Sequence, residues 1–129
     1  MIAVDTNILV RFLTHDDEAQ FQASYRLFES NDIFVADTVI LETEWVLRYA
    51  YEYTPDEIRA AFQKLFGMKN IHPANINVIA QAIDWHGKGM DFADALHLSL
   101  GEPHKTFKTF DKKLIKRARK LTQCCVEQP

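Results

Sequence analysis

The residues of this chain whose type and placement could do chemistry are carboxylates scattered along its length. Asp5 closes the apolar opening Met1-Ile2-Ala3-Val4 and is followed by Thr6 and Asn7. Asp91 and Asp94 are three apart, hence on one face of a helix, with His97 a further turn along. Asp111 follows Thr109 and Phe110 and precedes a lysine-rich stretch. On a helical wheel Glu42 falls among Val39, Trp45, Val46 and Tyr49, in the middle of an apolar arc. Glu44 falls on the other side, one turn before Arg48. A carboxylate that faces a core is costly unless a cation, a metal or hydrogen-bond donors compensate it. The wheel therefore predicts a core-facing, functional Glu42 and a structural ion pair for Glu44. Like charges at Asp91 and Asp94 repel, and a divalent cation would relieve the repulsion. Taken together the acids make an oxygen-rich set suited to Mg²⁺ or Mn²⁺. A plainer account stands beside this one: Asp5, Asp91 and Asp111 all occupy positions where a helix N-cap is expected, and Asp is a favoured cap. Asp94 fits that account less well.

Other chemistries find less support. The five histidines, at positions 15, 72, 86, 97 and 104, are not paired by their spacing, so surface or core roles are expected. His97 is the exception, because it shares a face with Asp94. Cys124 and Cys125 are adjacent and belong to no CxxC or Cys/His ligand pattern, which argues against both a disulfide between them and a zinc site. An aspartyl phosphatase centred on Asp5 would place a second Asp two residues on, where Asn7 stands.

The elements that must position these acids alternate in type. Met1–Val4 reads as a short buried strand, and Thr6 or Asn7 can cap a helix carrying Ile8, Leu9, Phe12 and Leu13. A second helix runs from about Asp16 to Glu29, a strand covers Ile33–Ala36, and a helical period spans Thr38–Tyr51. Thr54-Pro55-Asp56-Glu57 is a capping box with proline at the first helical position, opening a helix that buries Ile58, Ala61, Phe62, Leu65 and Phe66. A brief strand at Ile71 and His72 precedes a helix over Asn77–His86, which Gly87 and Gly89 break. Asp91–Leu100 is helical, Thr106–Phe110 is a strand, Lys112–Lys120 is a basic helix, and Cys124–Glu127 is a last strand. Strands alternating with helices imply an α/β fold around a parallel sheet covered on both faces. In such sheets functional groups gather beyond the carboxyl ends of the strands, where Asp5 and Asp111 are expected.

With 129 residues, 47% of them hydrophobic, the chain suits a single domain spanning 1–129. The start lacks the basic region and long apolar run of a signal peptide, and no stretch reaches the length of a membrane span. A cytoplasmic location is expected. The formal net charge of −3 does not advertise a nucleic-acid binder, but the last quarter holds Lys105, Lys108, Lys112, Lys113, Lys116, Arg117, Arg119 and Lys120. Such a local basic face could hold a phosphate backbone, or be simply a solvated helix surface.

Four short segments then carry a resemblance. Val4-Asp5-Thr6-Asn7, the run Ile40-Leu41-Glu42-Thr43-Glu44-Trp45-Val46-Leu47, Asp91-Phe92-Ala93-Asp94-Ala95-Leu96 and Thr109-Phe110-Asp111-Lys112-Lys113-Leu114 occur in the order and spacing of PIN domains. The chain resembles the VapC-type toxins of prokaryotic toxin–antitoxin pairs over nearly its whole length. The resemblance implies a three-layer α/β/α fold with a central parallel sheet, and endoribonuclease activity dependent on Mg²⁺ or Mn²⁺. It also implies an antitoxin partner that occludes the site, and homodimers. Matched motif by motif, Asp5, Glu42, Asp94 and Asp111 are the metal-binding and catalytic acids. Thr6, Asn7 and Thr109 are the polar residues that orient them, and Asp91 has an accessory role. Lys112, Lys113 and Lys116 are assigned to the RNA substrate. Many relatives carry a further acid where this chain has Lys113, which argues against a complete second metal site.

Overall fold

Five strands and seven α-helices alternate along the chain, together with one turn of 3₁₀ helix at Glu102–His104. The structure, a computed structural model, describes residues 1–129, which divide into two units, Met1–Ile76 and Asn77–Pro129.

The first unit is built on β1 (Ile2–Ala3), β2 (Ile33–Val35) and β3 (Ile71–Pro73), which form a parallel sheet in that order. Ile2 stands opposite Ile33, and Ile33 opposite Ile71. Parallel neighbours need helical crossovers. Here α1 (Thr6–Thr14) and α2 (Glu18–Ser30) connect β1 to β2, while α3 (Asp37–Ala50) and α4 (Pro55–Phe66) connect β2 to β3. The central strand is the buried one, with Ile33 and Val35 inaccessible. β1 is an edge strand and Ile2 is 37% exposed, so the buried opening strand expected from sequence is corrected. An apolar run cannot by itself say whether a strand has one neighbour or two. Leu9 and Phe28 from the first crossover, and Ile40, Leu47, Ile58, Phe62 and Leu65 from the second, complete this core.

α4 begins as its sequence predicts. The Thr54 hydroxyl accepts from the Glu57 amide at 3.2 Å, and the Glu57 carboxylate accepts from the Thr54 amide at 3.0 Å. α3 departs from expectation. Its buried residues are Ile40, Thr43, Glu44 and Leu47, a regular i, i+3, i+4, i+7 stripe. Glu42 is exposed and Glu44 is 1% exposed, the reverse of the inward and outward faces read from the wheel. The expected ion pair is what makes this possible. Arg48 donates to both carboxylate oxygens of Glu44, at 2.9 and 3.1 Å, and so compensates a charge taken out of water. On the outer face Trp45 and Tyr49 are 56% and 60% exposed, with ring centroids 5.0 Å apart.

The second unit contains α5 (Ile76–Gly87, all but its first residue), α6 (Phe92–Gly101), β4 (Thr106–Lys108), α7 (Lys112–Ala118) and β5 (Cys125–Glu127). β4 and β5 pair in parallel with α7 as the crossover, Phe107 opposite Val126. α5 and α6 meet through Ser99, whose hydroxyl donates to the Val78 carbonyl at 2.9 Å and lies 3.0 Å from Oε1 of Gln81. Leu114, Ile115 and Ala118 make α7 buried on one side only, and its lysines and arginines lie on the other. α7 ends at Ala118, two residues before the expected limit, in a turn where the Lys120 amide donates to the Arg117 carbonyl.

Candidate metal centre

Asp5 and Thr6 sit at the junction of β1 and α1. The Asp5 carboxylate caps α1, its Oδ1 accepting from the Ile8 amide at 3.2 Å. Thr6, buried in the first turn, donates its hydroxyl to Oε1 of Glu42 on α3. That bond joins the start of α1 to α3 and orients an exposed carboxylate. Asn7 is exposed beside them.

In the second unit, Asp91 caps α6 by accepting from the Asp94 amide at 3.2 Å, and Asp111 caps α7 by accepting from Lys113 and Leu114 at 2.9 and 3.1 Å. Thr109 accepts from the Asp111 amide at 3.0 Å, which ties it to the fourth acid. The plainer reading of Asp5, Asp91 and Asp111 as caps is therefore correct as far as it goes. It does not use up Asp5 and Asp111. Both cap through Oδ1, which fixes the carboxylate plane and leaves Oδ2 for another partner.

Asp94 caps nothing and is half-buried. Burial pushes its carboxyl above the ordinary range, and the negative charges of Asp91 and Asp111 push it further; only His97 acts the other way. The second unit thus sets Asp91, His97 and Asp111 close enough to Asp94 to act on its carboxyl. The first unit brings together Asp5, Thr6 and Glu42. Within neither unit do three His, Cys, Asp or Glu side chains make a ready-built metal cage. The donor set nevertheless fits a hard divalent cation: carboxylate oxygens, two of them with a spare Oδ2, and an excess of negative charge around Asp94.

The remaining histidines have separate local settings. His15 stacks on Phe21 at 3.5 Å, His72 lies 3.2 Å from Asp32, and His86 meets Phe92 edge-on at 5.5 Å. Lys112, Lys113 and Lys116 all lie exposed on α7.

A model of the PIN domain matches residues 2–121, a stretch holding all four proposed acids. The chain belongs to the PIN domain family. The α/β class with parallel strands, of the three-layer α/β/α kind, is accordingly the fold class of this PIN domain. Among solved structures, one similar chain is VapC20 of Mycobacterium tuberculosis, a toxin described as cleaving the sarcin–ricin loop. It is 18% identical over 95% of this chain and 98% of that one, with a TM-score of 0.44. No curated protein matches this PIN domain.

Proposed function

We propose that this chain is a metal-dependent endoribonuclease, the toxin of a toxin–antitoxin pair, whose residues 1–129 act as one PIN domain. Asp5, Glu42, Asp94 and Asp111 would hold Mg²⁺, with Mn²⁺ able to replace it. The observation that carries this reading is membership of a family whose proteins are typically nucleases, over a stretch that contains all four acids. The excess negative charge around Asp94 supports it from an independent direction. No helix is long and apolar enough to cross a membrane. The location proposed is cytoplasmic and the substrate RNA.

When bound, the cation would supply Lewis acidity, making water a better nucleophile and neutralising charge on the phosphate. The protein's own part is to hold carboxylates still. Thr6 restrains Glu42 by donating to Oε1, and the helix caps fix Asp5 and Asp111 through Oδ1. Thr109 steadies the backbone at Asp111. Asp91 assists by fixing the start of α6, one residue before the turn that presents Asp94. Water as the attacking group leaves a 5′-phosphate and a 3′-hydroxyl, whereas attack by the ribose 2′-OH would leave a 2′,3′-cyclic phosphate.

The test is digestion of an RNA pool with Mg²⁺ and with chelator, using wild type, Asp5→Asn and Asp94→Asn. The expected result is cleavage that needs the metal, ends in 5′-phosphates and disappears in both variants. Cyclic-phosphate ends, or cleavage indifferent to chelator, would reject the mechanism. The caps at Asp5, Asp91 and Asp111 favour one competing reading, an inactive PIN module in which these acids serve structure alone. That module would bind RNA or a protein partner and cleave nothing. Co-purification with the product of an adjacent reading frame tests the antitoxin partner, and light scattering tests the homodimer.

A further inference from the structure

Outside the acids, the second unit holds an open cleft of about 410 Å³ lined by Lys88, Lys113, Lys116, Arg117, Lys120 and Leu121. Five of these residues come from α7 and the turn after it, and four of the five are cations at i, i+3, i+4 and i+7 from Lys113, a spacing that keeps to one face. Lys88 reaches the cleft from the end of α5. Its only acidic neighbour is Asp84, 3.1 Å away on its own helix, and no acid lines the cleft. None of the four cations from α7 and its turn is ion-paired. A helix surface that only needed solubility would be expected to intersperse acids among these cations, as α4 does with Asp56 and Arg59.

The Arg117 guanidinium lies close against a glycine. Gly89 has φ +100°, and a Cβ there would lie 2.2 Å from one terminal nitrogen of the Arg117 guanidinium. The guanidinium therefore lies against bare backbone at a point where any side chain would displace it. From Lys113 to Arg117 the row rises about 6 Å at 1.5 Å per residue, and Lys120 continues it in the turn after the helix. That length matches roughly three phosphates at about 3.4 Å per charge along a strand. The first of these cations is two residues beyond Asp111, and the row leads away from it.

We propose that this cleft binds the sugar-phosphate backbone of the RNA on one side of the cut. The inference rests on the ribonuclease reading, and it adds Lys88, Arg117 and Lys120 to the substrate contacts. It also leaves out Lys112, which lines a separate groove with Glu127 and Arg119. Binding is electrostatic and indifferent to base, so the cleft sets how long a substrate must be and leaves sequence choice to other contacts.

The test measures binding of a fluorescein-labelled, unstructured RNA 12-mer by anisotropy in chelator, across a range of salt. The variants are Lys88→Gln with Lys120→Gln, and Arg117→Gln. Lys64→Gln, on α4, is the control. The slope of log affinity against log salt is expected to fall by about 0.7 per cation removed. Lys64→Gln should match wild type. In Mg²⁺ the same variants should raise KM for the 12-mer and leave a trinucleotide unaffected. Unchanged slopes together with intact Mg²⁺-dependent cleavage would overturn the cleft and spare the nuclease. A cleft-dependent slope with no cleavage by wild type would uphold the cleft and overturn the nuclease. Absence of RNA binding by wild type would overturn the cleft.

Discussion

Asp94 shows how the role proposed for it would oppose stability at a single residue. Its carboxyl is raised above the ordinary value of 3.8 by burial first and then by Asp91 and Asp111. An acid whose pKa rises on folding binds its proton more tightly in the folded state than in the unfolded one. The metal-free protein is therefore helped below the ordinary value, and loses that help as pH climbs through the raised one. Asp94→Asn should raise the melting temperature of the metal-free protein at neutral pH and flatten this part of its pH dependence, while ending cleavage. Calorimetry between pH 3 and 8 in chelator checks it, and a lower Tm for the variant would refute the account. Thr6 makes the complementary case, because its hydroxyl is committed to Glu42. Thr6→Val should keep the fold and cost about 10–100-fold in activity or metal affinity, as loss of a ligand-orienting hydrogen bond typically does. Thr6→Ser should restore most of the loss. A metal titration of cleavage separates this from simple destabilisation, which would not change the Mg²⁺ concentration required.

At the scale of elements, α3 is where sequence and structure part. Two interleaved stripes compete for the inside of this helix. One holds Val39, Glu42, Val46 and the aromatic pair Trp45 and Tyr49; the other holds Ile40, Thr43, Glu44 and Leu47. The first has more apolar surface, yet Glu42, Trp45 and Tyr49 are exposed and Val39 and Val46 only half-buried; Arg48 can neutralise Glu44, whereas Glu42 has no cation a turn away. Solvent access to Trp45 tests that orientation directly, since the other tryptophan, Trp85, is only 3% exposed. Acrylamide should quench a large accessible fraction of the fluorescence, and Trp45→Phe should remove that fraction and leave a shielded remainder. A wild-type spectrum shielded throughout would mean that α3 is rotated and that Glu42 faces inward. α7 was more legible from sequence: its basic residues were visible as a run, but not which of them share a cleft. Lys88, from another helix, joins the row, and Lys112 turns to a different groove.

For the whole molecule, the proposal that Asp5, Glu42, Asp94 and Asp111 hold a cation has a thermodynamic consequence. A bound ion should stabilise the folded protein. Mn²⁺ at about 100 times its Kd should add ~2.7 kcal/mol and shift a single unfolding transition upward, and Asp5→Asn should abolish the shift as fully as Asp94→Asn. A shift that survives one of these substitutions would remove that acid from the proposed ligand set. Much of the molecule could be read without coordinates. Element order follows from apolar period, from the capping box at Thr54 and from glycines 87 and 89, all of which act over a few residues. Asp5, Asp91 and Asp111 were recognisable as caps for the same local reason. What folding alone decided was everything that depends on partners distant in the chain. β1 lies at a sheet edge because strand order is set by crossovers, and Glu42 is exposed because the stripe that Arg48 completes goes inward. The Thr6 hydroxyl meets a carboxylate 36 residues away. Local propensity reports on neighbours in sequence, whereas burial and hydrogen bonding between elements are settled only when the chain packs.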